Sequence, residues 1–331
     1  MKIFFLQKKC YCFLNFNYIF IRIINLFMEK NKIFVIGSCN TDMVIKSDRL
    51  PTPGETVIGG TFLMNPGGKG ANQAVAAARQ GGLVTFIAKT GNDVFGKQSL
   101  ELYNSEGINT DLILSDPKNP SGVALIMVNS HGENCITVAS GSNGNLTPKD
   151  IEKFKIQIGN ADLILMQLEI PIETVEYVSE LALERNIPVV LNPAPARSLP
   201  DQLLKRLFLI TPNETEAEIL SGIKVTDYEK AKEAADVISR KGVANVVITM
   251  GALGAFVKEG DNYSIVPANK VTAVDTTAAG DCFNGTLCVG LSEGKSITES
   301  VKLAVKASEL CVQKMGAQAS IPYKKELVLA L

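Results

Sequence analysis

The stretch whose spacing carries most chemistry is Val274 to Gly285, V-D-T-T-A-A-G-D-C-F-N-G. An acid, Asp281, stands where a helix should begin, directly behind the small run Ala278, Ala279 and Gly280. Small side chains let a ligand approach the backbone, and the first turn of a helix carries N–H groups without internal partners. Such a turn aimed at a cleft can hold phosphate oxygens. Beside a phosphoryl group the carboxylate can take the proton of an attacking hydroxyl, while the N–H groups stabilise charge on the transferred phosphate. Local sequence leaves a second reading open, in which Asp281 is a helix-start acid and Gly280 a turn glycine.

A second glycine-rich turn lies at Pro66 to Val75, P-G-G-K-G-A-N-Q-A-V, with three glycines around Lys69 before an alanine-rich helix. It favours close approach by an oxygen-rich ligand but lacks P-loop spacing. Gly91 to Gln98 does fit G-x-x-x-x-G-K, yet offers Gln98 where magnesium needs a hydroxyl, and Asn92 and Asp93 read as helix caps. Asn40 and Asp42 follow K-I-F-V-I-G at 32–37, an apolar run read as a first buried strand. Side chains just beyond such a strand face the ligand crevice of an open α/β sheet, so this pair could bond sugar hydroxyls or cap a turn. Polar residues recur at later strand ends: Glu169, Asn192, Asn213 with Glu216, and Thr249 before Gly251. Together they would line one edge. Asn213 and Glu216 also open a helix, so capping competes there with a hydrated Mg²⁺.

The elements that must position these residues follow a βαβ rhythm. From Ala161 onward apolar runs alternate with helices beginning near Ile172 and spanning about Tyr228 to Lys241. This predicts a doubly wound, mostly parallel sheet flanked by helices. Two stretches do not belong to such a core. Gly122 to Ser140 alternates apolar and polar residues about N-S-H-G-E-N, as a half-exposed antiparallel hairpin should, and Pro51 to Asn65 suits a lid or edge hairpin. V-T-F-I-A-K-T at 84–90 reads as one strand.

Composition narrows the partners. With 33 Lys and Arg against 34 Asp and Glu in 331 residues, no broad basic field exists for nucleic acid or an anionic membrane, which points to a small substrate. Seven cysteines without a C-x-x-C pair favour a reducing compartment, with Cys282 marked as a thiol at a helix start. The single histidine, His131, excludes histidine zinc sites and Ser-His-Asp chemistry. Residues 1–28 read as an extension: Lys2, Lys8 and Lys9 precede an apolar, aromatic and asparagine-rich run that Arg22 interrupts. That pattern suits organelle targeting or a start misplaced ahead of Met28 better than a membrane span.

Four runs in register then carry a resemblance: G-G-K-G-A-N-Q-A-V from Gly67, N-P-A-P-A-R from Asn192, T-P-N-E-T-E from Thr211 and D-T-T-A-A-G-D from Asp275. The chain from about Lys32 onward resembles the ribokinase family of ATP-dependent sugar kinases. The resemblance implies a Rossmann-like α/β domain over 29–331 with a small β-sheet lid near 43–66 and 121–140, through which two copies would pair as a homodimer. It implies phosphorylation of D-ribose at O5 with ATP in the cytoplasm; a related sugar or nucleoside (deoxyribose, fructose, adenosine) is the alternative acceptor. Asn40, Asp42, Gly67, Gly68, Lys69, Asn72 and Glu169 would bind ribose, Asp281 would deprotonate it, and the backbone of Ala278, Ala279 and Gly280 would form the anion hole. Asn213, Thr249, Met250, Gly251, Ala252, Leu253, Gly254, Gly280 and Val305 would meet ATP, with Asn213 and Glu216 ordering Mg²⁺ through water. Asp275, Thr277, Cys311, Lys314, Gly316 and Ser320 match positions that hold an activating K⁺, mostly through backbone oxygens. Val305 departs from the polar residue that relatives often place near adenine.

Overall fold

The computed structural model describes residues 31–330. The extension at 1–28, with Cys10 and Cys12, falls outside the described residues. Strands β1 (Lys32–Ile36), β4 (Leu83–Ile87), β9 (Leu163–Met166), β10 (Val189–Leu191), β11 (Leu209–Ile210) and β12 (Asn245–Thr249) pair in parallel. Strands β13 (Ala255–Glu259) and β14 (Asn262–Val266) add antiparallel at one edge, giving an eight-stranded sheet ordered β14-β13-β12-β11-β10-β9-β1-β4. The fold is thus the mostly parallel α/β sheet that the apolar runs predict. Central strands such as Leu163–Met166 are buried throughout, because both faces are covered.

A separate four-stranded sheet is ordered β3-β2-β7-β8, from β2 (Asn40–Lys46), β3 (Thr61–Gly67), β7 (Gly122–Val128) and β8 (Asn134–Ala139). The β7–β8 hairpin turns at the segment holding His131, where Asn129 Oδ1 accepts the N–H groups of His131 and Glu133. The 84–90 run is not one strand: it breaks at Ala88, where β4 ends and β5 (Lys89–Gly91) leaves to pair with β6 (Leu114–Asp116). Nor is 51–65 a hairpin throughout, since only Thr61 onward is extended.

Two helix layers cover the large sheet. Helix α1 (Lys69–Arg79), α6 (Ala279–Ser292) and α7 (Ile297–Cys311) lie on one face. Helices α3 (Ile172–Leu183), α4 (Glu214–Ser221) and α5 (Tyr228–Arg240) lie on the other. Between them in sequence, α2 (Val94–Ser105) starts at Asp93, whose carboxylate accepts the Gly96 N–H at 2.9 Å. The G-x-x-x-x-G-K match is therefore a capped helix start. Among the described residues no helix is long and apolar enough to cross a membrane.

Candidate active site

Helix α1 begins where β3 returns to the large sheet. Gly68 caps it at φ 88°, and a Cβ there would lie 2.7 Å from the Asn40 N, so only glycine lets the two segments touch. Gly67 is held by contact as well: a Cβ would sit 2.2 Å from the Asp42 Oδ2. The register pairs Asn40 with Gly67 and Asp42 with Asn65, bringing Asn40 and Asp42 against the glycine-lysine turn. Asn143 fixes Asn40, donating from Nδ2 to Asn40 Oδ1 at 2.7 Å. Glu169, just after β9, accepts from Ser38 Oγ at 2.5 Å and from the Lys69 N–H at 2.9 Å.

The base candidate comes from the opposite end of the chain. Small residues let α6 pack onto α1; a Cβ on Gly285 would lie 2.5 Å from that of Ala76. This contact sets Asp281 against Asn72 and Gln73, whose amide nitrogens donate to its two oxygens at 2.9 Å each. Asp281 is only 6% exposed yet lines a cavity of about 210 Å³ with Lys69, Asn213, Glu216, Thr249 and Ala278 to Gly280. Burial pushes its carboxyl above the usual aspartate range; Lys69, Asn72 and Gln73 pull the other way, and Glu169 adds to the rise.

Lys69 is ringed by carboxylates. Burial disfavours its charge, but Asp281, Glu169, Glu216 and Asp42 outweigh that and hold its ammonium above the usual range. Asp42 is itself pushed up to about 6 by burial and by repulsion from Glu169 and Asp281, with Lys69 opposing. Glu216 rises through burial, although the Asn213 N–H favours its charge.

The turn before α6 refines the expected row of amides. Ala278 adopts a left-handed conformation at φ 61°, unusual for a residue with a Cβ. The Ala279 N–H turns back to Thr276 O at 3.2 Å, whereas those of Ala278, Gly280 and Asp281 have no hydrogen-bond partner among the described residues. The free donors are thus 278, 280 and 281 rather than 278 to 280. The segment before this turn, 267–277, is irregular.

Further along the crevice, Asn213 and Glu216 form a capping box, with Asn213 N–H donating to Glu216 Oε2 and Glu216 N–H to Asn213 Oδ1. That leaves Glu216 Oε1 without a donor among the described residues, so this acid is free to meet a hydrated cation. Gly251, Ala252 and Leu253 are exposed in a short turn closed by Gly254, while Met250 is turned into the core at 2% exposure. Val305 packs among buried apolar residues of α6 and α7 and is absent from the cavity wall.

Behind the Ala278–Gly280 turn, the Asp275 carboxylate accepts from Thr277 N–H and Oγ1 and from Gly316 N–H. Burial works against its charge, but these bonds prevail and hold it below the usual range. An ionised acid tying two loops together suits a monovalent cation between them. The Cys311 thiol is buried against Ser320 Oγ at 3.0 Å, and its carbonyl accepts the Lys314 N–H at 3.1 Å. Cys282 is also buried, and bonding to Cys311 together with desolvation pushes it well above the usual thiol range, so it packs rather than reacts. Arg79 pins the following strap, donating to the carbonyls of Gln318 at 2.6 Å and Ile321 at 2.8 Å.

Sequence reading missed several residues that the structure brings to this site. Asn143, Thr211, Asn284, Gln73, Gln167 and Gln318 act through contacts spanning 73 to 246 positions. Asn284 was visible only as part of the helix start; its Nδ2 holds Gly280 O at 2.8 Å.

A model of the pfkB family of carbohydrate kinases matches residues 30–324. The chain is 44% identical over 292 residues to a ribokinase of Haemophilus influenzae, covering 88% of this chain and 95% of that one. It is 38% identical over 291 residues to a deoxyribokinase of Salmonella typhi, covering 88% and 95%. A solved structure of Arabidopsis thaliana ribokinase complexed with ribose and ATP superposes with a TM-score of 0.86 at 31% identity, covering 91% of this chain and 99% of that one.

Proposed function

Because the chain belongs to the pfkB family of carbohydrate kinases, we propose that it transfers the γ-phosphoryl group of ATP to O5 of D-ribose, giving D-ribose 5-phosphate and ADP. The observation that carries this reading is the buried Asp281 carboxylate, facing one cavity together with Lys69 and the free N–H groups of Ala278 and Gly280. Asp281 takes the O5 proton as O5 bonds to the γ-phosphorus. The bond from that phosphorus to the β–γ bridging oxygen breaks, and ADP leaves with the electron pair. The free amides at the start of α6 hold the charge that spreads over the phosphoryl oxygens.

Asn40, Asp42, Gly67, Gly68, Lys69, Asn72 and Glu169 form the sugar side. Asn213, Thr249 to Gly254 and Gly280 form the nucleotide side, with Val305 in the apolar helix packing behind it. Mg²⁺ ordered through water by Asn213 and Glu216 would neutralise phosphate charge. K⁺ held by the loops of Asp275, Thr277, Cys311, Lys314, Gly316 and Ser320 would stiffen the amide turn. The face of the small sheet turned away from Asn40 and Asp42 carries exposed Ile45, Phe62, Met64 and Leu125, and a second copy is the partner that would cover it. The five described cysteines are unpaired, in keeping with a cytoplasmic setting.

The test is ADP release by the purified chain with ATP and Mg²⁺, with and without K⁺, against ribose, 2-deoxyribose, fructose and adenosine. Ribose should be turned over fastest, and K⁺ should raise the rate. A preference for 2-deoxyribose would reassign the acceptor. Asp281→Asn should lower kcat by about 10²- to 10⁴-fold while calorimetry still detects ribose binding. Near-normal turnover in that variant removes the base assignment.

A further inference from the structure

We propose that Gln167 and Gln318, which lie behind the cavity wall, are positioning residues that orient the Asp281 carboxylate through two matched amide relays. The proposal rests on Asp281 being the base. In one arm Gln167 Nε2 donates to Gln73 Oε1 at 2.6 Å, and Gln73 Nε2 donates to Asp281 Oδ1 at 2.9 Å. In the other, Gln318 Nε2 donates to Asn72 Oδ1 at 3.0 Å, and Asn72 Nδ2 donates to Asp281 Oδ2 at 2.9 Å. The four amides are all buried, Gln73 and Gln167 completely.

The direction of each relay is fixed by its end. A carboxylate only accepts, so both inner amides must present nitrogen to it and turn their oxygens away. Gln73 is constrained twice, because its Nε2 also donates to Asn192 Oδ1 at 3.0 Å while Asn192 Nδ2 is committed to Thr211 O. The outer glutamines supply the donors that the inner oxygens then require. Their own oxygens, Gln167 Oε1 and Gln318 Oε1, are left buried without a hydrogen bond from any described residue. Gln167 Oε1 rests against Gly37, where a Cβ would come within 2.1 Å. A buried carbonyl without a donor is unfavourable, and an apolar side chain would fill either space without that cost. What a glutamine adds at both places is an N–H aimed along the relay.

The arms hold the carboxylate by both oxygens, leaving lone pairs for the incoming hydroxyl. They also favour its charged form against burial and against Glu169, Glu216 and Asp42, with Lys69 as the one cation among these charged neighbours. The Cys282 and Cys311 thiols face the same acid from α6 and α7.

The experiment compares the full chain with Gln167→Met, Gln318→Met and the double variant, recording kcat and KM for ribose across pH, K⁺ activation and thermal midpoint. Weakened donation should lower kcat about 10-fold per arm and leave KM for ribose within about 2-fold. The acid limb of kcat should move to higher pH by about half a unit to one unit. K⁺ activation should be unaltered in Gln167→Met, which is remote from the cation loops. An unchanged kcat, a KM effect alone, or an equal loss at every pH with the limb unmoved would overturn the relays. If one variant fails to fold, the other arm decides by the same criteria. Asp281→Asn is run alongside: activity there defeats the base assignment itself, whereas an inactive Asp281→Asn with an unmoved limb in the glutamine variants defeats only the relays.

Discussion

A carboxylate proposed to receive a sugar hydroxyl must be charged in a place that resists charge, and Asp42 shows how far that conflict goes. Its carboxyl titrates at about 6, raised by burial and by Glu169 and Asp281. The unfolded chain releases this proton near the ordinary aspartate value of about 4, so between about pH 4 and 6 the folded state binds more protons. Stability of the unliganded protein therefore falls as pH rises through that window, and the penalty is complete above it. Asp42→Asn should raise the thermal midpoint at pH 8 but hardly at pH 4, while weakening ribose binding at both. A midpoint that does not rise at pH 8 would contradict the assigned repulsion. Lys69→Met makes the converse case. Removing the cation among four acids should raise KM for ribose by about 10-fold or more and lower the midpoint most near neutral pH, where the acids and the lysine are all charged, the loss shrinking as the acids take up protons at low pH and as pH rises through the lysine's raised pKa. Equal destabilisation at every pH would mean that the lysine acts only by packing.

At the scale of elements, the place of the proposed base depends on how closely α6 lies on α1. A Cβ on Gly285 would meet Ala76 Cβ at 2.5 Å, Gln73 O at 2.6 Å and Ala77 N at 2.8 Å, two of them backbone atoms that cannot swing aside. Gly285→Ala should cost about 1–3 kcal/mol by overpacking and draw Asp281 away from Asn72 and Gln73, so denaturant unfolding and kcat should change together. Loss of stability with full kcat would uncouple the helix contact from the base. The elements themselves were largely legible in sequence: buried parallel strands read as apolar runs, Asp281 and Lys69 were marked by the small residues around them, and Asn40 and Asp42 by their place just after the first apolar run. The break at Ala88 was not, because β4 and β5 share one apolar pattern while joining different sheets. The amide relays were equally silent. Gln73, Gln167 and Gln318 look like ordinary polar residues, and their meaning arises only when positions 94 and 246 apart are brought within 3.0 Å.

The molecule as a whole presents its small sheet as an unfinished surface. Phe62 is 59% exposed and Leu125 55%, on strands whose other face carries Asn40 and Asp42. Since the same strands serve both faces, pairing with a second copy would stiffen the sugar side. Phe62→Lys with Leu125→Lys should give a monomer in light scattering and a raised KM for ribose. A persistent dimer would place the interface elsewhere.

Arg79 clasps the carbonyls of Gln318 and Ile321, so the segment that steadies one oxygen of Asp281 is added to the chain after every other part of the crevice. During translation, sheet, lid and base can all have left the ribosome while that oxygen still lacks its support. A nascent chain halted before residue 316 would hold the sugar-facing residues yet turn over poorly, so phosphorylation would begin only once that strap has been made.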